Sequence, residues 1–279
     1  MTFGARLRAA LRAHGPLCVG IDPHERLLID WGLPVSAAGV REFGLRVVDA
    51  AAGRVGVVKP QVAFYERFGS AGFAALEDVL AAARDAGLLV VADAKRGDIG
   101  TTMDGYAAAW LDDGSPLAAD AVTISPYLGP LSLCETMRQA IDRGRGVFVL
   151  TATSNPEAGD LQRAQTAPGP VARYVAEAVQ QQRRAFEPDP ELASVGFVIG
   201  ATVDRGSFGL DDDVLAAAPI LAPGFGAQGA SPADLGGLFG ALAGEVVASE
   251  SRSILTAGPD ALAARIDERR ALYPAVTRG

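Results

Sequence analysis

Six residues, Asp93-Ala94-Lys95-Arg96-Gly97-Asp98, hold the densest chemistry in the chain. Two carboxylates bracket one ammonium directly after the apolar run Leu88-Leu89-Val90-Val91-Ala92. Of the 25 Lys and Arg residues only two are lysines, Lys59 and Lys95. Arginine does not release its proton in a protein, whereas lysine does. A lysine kept at a strand end in an arginine-rich chain therefore points to chemistry rather than to surface charge. Both lysines follow apolar runs, Val55-Gly56-Val57-Val58-Lys59 and Leu88 to Lys95, as two strands ending on one polar face would.

Alternate residues of a strand share a side, so Asp93 and Lys95 are expected to face the same way. Asp98 follows where the chain leaves the sheet. Charges gathered there must pair to offset their desolvation. One reading is an ion pair that merely closes a strand end. Another is a lysine held charged and aimed at a developing negative centre, which it could also protonate. A Schiff-base lysine is a third, but flanking carboxylates oppose the neutral amine that imine formation needs.

A second set of residues suits an anion. Ala222-Pro223-Gly224-Phe225-Gly226-Ala227-Gln228-Gly229 is glycine-rich, and glycines let backbone amides approach a phosphate closely. Ser251-Arg252-Ser253 follows the next apolar run and adds a guanidinium. Gln228, flanked by glycines, could latch the loop over a ligand. Taken alone, each piece could be a turn or a surface arginine.

Eight short aliphatic runs supply the elements that position these groups: Leu17–Ile21, Val55–Val58, Leu88–Ala92, Ala121–Ile124, Val147–Leu150, Val195–Ile199, Ile220–Ala222 and Val246–Ala248. Each reads as a buried strand, with Ala-rich helical stretches between. Eight such repeats predict a single (β/α)8 barrel domain over 1–279, with a doubly wound open sheet as runner-up. In a barrel the chemistry lies at the C-terminal strand ends. There the sequence places Asp22, Lys59, Asp93 with Lys95, Ser125, Ser154, Thr202, the 223–228 loop and Arg252 in turn. Ser154 to Pro170 is polar and reads as an insertion after the fifth strand. Met1 to His14 is Arg-rich without acids, like a transit peptide; the strand that follows at once favours a helix closing one end of the barrel.

Composition narrows the rest. A net charge of −8 speaks against a broad nucleic-acid surface. Two cysteines make no disulfide framework, and Cys18 reads as a small buried hydrophobe. Two histidines are too few for a His-based metal cluster, and His24 reads as part of a turn. No run would span a bilayer, so a cytoplasmic location is expected.

Asp93-Ala94-Lys95-Arg96-Gly97-Asp98-Ile99-Gly100-Thr101-Thr102 resembles the signature of the orotidine 5′-phosphate decarboxylases, and more narrowly of their longer bacterial type. Val19-Gly20-Ile21-Asp22-Pro23-His24, Val58-Lys59-Pro60-Gln61, Thr153-Ser154-Asn155-Pro156, Pro223 to Gly229 and Arg252-Ser253 also fall where that family has motifs. The likeness spans nearly the whole chain, and the glycine loop is its more discriminating element. The resemblance implies loss of CO2 from orotidine 5′-monophosphate to give UMP, with no metal or organic cofactor. It implies that Lys95 stabilises and protonates the carbanion at C6, with Asp93 beside the departing carboxylate. Lys59 and Asp22 would hold the ribose, Ser154 the pyrimidine edge, and Gln228 both pyrimidine and phosphate. Arg252, with Ser253 and Gly226 around it, would hold the phosphate. Asp98 and Thr102 would reach into the site of a second subunit, making a homodimer.

Two further readings stand beside it. A metal-dependent sugar-phosphate decarboxylase or aldol-type synthase would use Asp93 as a magnesium ligand. It lacks a second acid at the end of strand two, where Lys59 sits. A phosphate-binding sensor would need only the glycine loop and Arg252.

Overall fold

In the computed structural model, which describes residues 1–274, eight parallel strands close into a barrel. They are β1 Leu17–Ile21, β2 Val57–Pro60, β3 Leu89–Arg96, β4 Ala121–Ile124, β5 Gly146–Ala152, β6 Val195–Ile199, β7 Ile220–Pro223 and β8 Val246–Glu250. Each pairs with its neighbours in chain order, and β8 pairs with β1 to complete the ring. The open-sheet alternative is thereby excluded.

The period of two along each strand sorts the side chains. Val19, Val58, Val90, Val122, Phe197 and Ile220 join the large core shared with the surrounding helices. Cys18, Val57, Val91, Ala121, Phe148, Val198, Leu221 and Val247, one from each strand, meet in a second cluster inside the barrel. Two residues further along, the same faces carry Gly20, Lys59, Asp93, Thr123, Leu150 and Ser249. The inner surface thus changes from apolar to charged within one pleat.

The helix Phe3–His14 closes the barrel at the N-terminal strand ends. Phe3, Leu7 and Leu11, spaced by four, all enter the inner cluster, as one face of a helix requires. Burying each such side chain contributes roughly 1.5–3 kcal/mol. Gly146 makes room, because a Cβ there would lie 2.2 Å from the Phe3 ring. Cys18 sits in this cluster, and burial pushes its thiol up to about 12, so it is inert packing.

The 154–170 segment forms a short helix, Ala158–Gln162, and an antiparallel ribbon of Gln165–Thr166 with Gly169–Pro170. The Gln162 side chain grips the end of β5, accepting from the Thr153 amide at 2.9 Å and donating to Thr153 Oγ1 at 3.0 Å. Among the described residues no helix is long and apolar enough to cross a membrane.

Candidate active site

At the C-terminal strand ends lies a cleft of about 390 Å³. Asp22, Lys59, Asp93, Lys95, Gln228 and Arg252 line it, together with an apolar wall of Leu150, Val198 and Leu221. The cations concentrated here contrast with the chain's net charge of −8.

Asp93 is the hub. Lys59 Nζ donates to its Oδ2 at 2.9 Å, and Lys95 Nζ donates to Oδ1 at 2.6 Å. The Thr123 hydroxyl donates to the same Oδ1 at 2.9 Å. Burial works against the Asp93 anion, but Lys59 and then Lys95 outweigh it and hold the carboxyl far below the usual carboxylate range. Burial likewise opposes the charge on Lys59, yet Asp93 and Asp22 overcome it and hold the amine above the ordinary lysine range. The side chains of Lys59 and Asp93 are only 9% and 12% exposed, whereas that of Lys95 is 45% exposed. Of the three charges, Lys95 is therefore the most open to a ligand.

Lys95 does not reach this place by simple strand alternation. Between Ala92 and Arg96 the pairing of β3 with β4 shifts register, and Lys95 takes φ +50, the left-handed region. A side chain there is strained by roughly 1–2 kcal/mol. The expected sharing of one side by Asp93 and Lys95 is met, but through a bulge.

The glycine loop is a tight turn: the Gly226 amide donates to Ala230 O, and the Gly229 amide to Gly226 O. Gly226 has φ +70, and a Cβ on it would lie 2.7 Å from Ser253 Oγ and 2.8 Å from Glu250 Oε2. Its glycine lets the loop sit directly on these two residues. Glu250, fully buried, accepts from Arg269 at 2.8 and 3.1 Å, from the Tyr273 hydroxyl at 2.7 Å, and from the Ser253 hydroxyl.

Not every residue singled out by sequence reaches the cleft. Asp22, Lys59, Asp93, Lys95, Gln228 and Arg252 do. Ser253 does not: its hydroxyl is committed to Glu250, and Ser251 lines the cleft instead. Gly226 serves the packing of the loop rather than its lining surface. Ser154 is exposed and outside the cleft, where Thr153 stands in its place. Asp98 is half-buried, accepting from the Ile99 amide at 2.8 Å, and Thr102 is exposed; neither lines the cleft of its own chain. His24 lines the cleft, with its ring 4.3 Å from that of Phe64.

Thr123 and Glu250 escaped the sequence reading. Thr123 had a legible signal, because it stands two residues beyond the inward Ala121 as Asp93 stands two beyond Val91. Glu250 had none, since its partners Arg269 and Tyr273 come from a distant helix and the turn after it.

Comparison with known proteins is consistent along the chain. Orotidine 5′-phosphate decarboxylase of Corynebacterium glutamicum (strain R) is 51% identical over 261 residues, covering 93% of this chain and 92% of that protein. The enzyme of the same name from Salinispora arenicola is 51% identical over 274 residues, covering 97% and 96%. A crystal structure from Streptomyces avermitilis, assigned by name to orotidine 5′-phosphate decarboxylase, superposes with a TM-score of 0.90 at 49% identity, covering 99% of this chain and 96% of that one. Residues 15–266 match the family described as orotidine 5′-phosphate decarboxylase / HUMPS, and with half-identical relatives aligned over nearly its whole length the chain belongs to that family.

Proposed function

We propose that this chain removes CO2 from orotidine 5′-monophosphate and releases UMP, as a step of de novo pyrimidine biosynthesis. The observation that carries the reading is the accessible Lys95 ammonium, 2.6 Å from an Asp93 carboxylate that two amines keep ionised. When the C6–carboxylate bond breaks, its electron pair stays on C6 and CO2 departs. An ammonium already in place stabilises that charge without reorganising. Lys95 then gives its proton to C6, and water reprotonates the amine. Asp93 holds the ammonium in line and stands beside the leaving carboxylate.

The rest of the cleft suits the remainder of the nucleotide. Asp22 Oδ1 is buried without a hydrogen-bond partner among the described residues, a fit for ribose hydroxyls, and Lys59 stands near. Leu150, Val198 and Leu221 offer an apolar wall to the pyrimidine. Arg252 and the glycine loop receive the phosphate, and Gln228 spans from there to the base. Phosphate held away from the reacting carbon supplies remote binding energy for closure. The reading needs no metal or organic cofactor.

Two copies would complete the site as a homodimer, with Asp98 and Thr102 serving the partner's cleft. In support, Ile99, next to Asp98, and Tyr127, Leu128 and Leu131, which follow the neighbouring strand β4, are 54–77% exposed, apolar surface suited to burial against a second chain. The enzyme would work in the cytoplasm, in keeping with two free thiols.

The metal-dependent alternative fares worse on one point. Asp93, its required ligand, already engages Lys59, Lys95 and Thr123. The deciding experiment follows the ultraviolet absorbance of orotidine 5′-monophosphate with and without chelator. Equal turnover in both supports the proposal; no turnover on this substrate ends it, and loss with chelator revives the alternative. Lys95→Ala should lower kcat by at least about a thousandfold while UMP still binds.

A further inference from the structure

Building on the proposed decarboxylation, we infer that Thr123 is a positioning residue for the reaction, fixing Lys95 through a strained bulge. The register makes the case. Val91 pairs with Ala121, Ala92 with Val122, and then Arg96 with Ile124. Asp93, Ala94 and Lys95 therefore stand opposite one residue, Thr123. Backbone pairing is interrupted at this point.

The Thr123 side chain bridges the interruption. Its hydroxyl accepts from the Lys95 amide at 2.9 Å and donates to Asp93 Oδ1 at 2.9 Å. A hydroxyl has one proton and two lone pairs, so it serves both partners at once. It ties the backbone of the reactive lysine and the carboxylate that aims the ammonium into one unit. Thr123 is fully buried and does not line the cleft, so it acts through its neighbours.

The surroundings close the bulge on the far side. The Ser125 amide donates to Arg96 O at 2.7 Å. Gly97 lies so close to β4 that a Cβ would come within 2.6 Å of Ser125 O. The chain is thus fastened at Arg96 and Gly97, and on the other side by pairing up to Ala92. Between those points, among the described residues, the Thr123 hydroxyl is the side-chain group that fastens the stretch to β4. Without it, Lys95 is free to relax from φ +50, and its ammonium moves off the reacting carbon.

The test compares Thr123→Val, which keeps the shape and removes the hydroxyl, with Thr123→Ser, which keeps the hydroxyl. The expected result for Thr123→Val is a loss in kcat of about ten- to a hundredfold, the cost of a misplaced catalytic group. KM for orotidine 5′-monophosphate and the UMP dissociation constant by calorimetry should stay within about threefold, since Thr123 touches neither. Thr123→Ser should regain most of kcat. Should Thr123→Val not fold, Thr123→Ala takes its place with the same expected split. Wild-type kcat in the hydroxyl-free variant overturns the inference, as does an equal loss in Thr123→Ser. A wild-type protein inactive on orotidine 5′-monophosphate removes the functional reading itself, and this inference with it.

Discussion

Asp93 binds two amines and a hydroxyl through two oxygens, so its ionisation ties stability to catalysis. Its native carboxyl is held below the unfolded value. The stabilisation is therefore complete above the unfolded value, about pH 4, and is lost as pH falls toward the lower native one. Lys59 behaves in the opposite sense. Its raised native value gives stabilisation that persists below the unfolded value, about pH 10, and fades as pH rises through the higher native one. The network is thus fully formed across the neutral range. Asp93→Asn cannot ionise, so its thermal midpoint should fall less steeply than that of the wild type as pH drops below about 4. Calorimetric scans of both proteins at a series of acid pH values would show it, and identical slopes would count against the assigned ion pairs. The same substitution should remove most decarboxylation at neutral pH, because Lys95 loses the charge that aims it.

At the scale of elements, the glycine loop depends on an approach that only glycine permits. In Gly226→Ala, the added methyl meets Ser253 Oγ and Glu250 Oε2 in a backbone already at φ +70. Restoring the loop on a ligand would then cost about 1–2 kcal/mol. That predicts a KM raised about tenfold with kcat little changed, measured by steady-state kinetics. The sequence made the elements legible because buried parallel strands are continuous apolar runs. It read β2 as Val55–Val58 and β3 as Leu88–Ala92, whereas they extend to Pro60 and Arg96. The residues beyond those runs, Lys59 and Pro60 in β2 and Asp93 to Arg96 in β3, are mostly polar. Apolarity ends where the barrel interior turns from packing to chemistry, while the backbone pairing continues. The insertion was legible as an interruption, but its ribbon was not, being held by pairs such as Gln165 with Pro170 that leave no periodic trace. Among site residues, the charged groups announced themselves by type. Ser154 and Ser253 lie one and two positions from Thr153 and Ser251, which line the cleft, a difference that sequence alone does not show.

At the scale of the whole molecule, Asp98 and Thr102 make a prediction about two chains rather than one. Each lies outside its own cleft. If they serve a partner, Lys95→Ala and Asp98→Ala damage a site from opposite subunits. Equal mixing of the two inactive variants, by dissociation and reassembly, should restore about a quarter of wild-type activity, since half the dimers are mixed and each holds one intact site. No recovery, with mixed dimers demonstrated by mass, would place Asp98 in its own subunit's chemistry. A separate long-range dependence follows from Glu250. Tyr273 donates to it and rests its ring 5.7 Å from that of Phe225, so the end of the described chain buttresses the loop assigned to phosphate. An affinity tag spliced directly onto Tyr273 should therefore loosen the grip on the nucleotide's tail, although the splice lies outside the pocket. Engineering that needs a handle on this enzyme does better to place it ahead of the helix Phe3–His14 that closes the barrel.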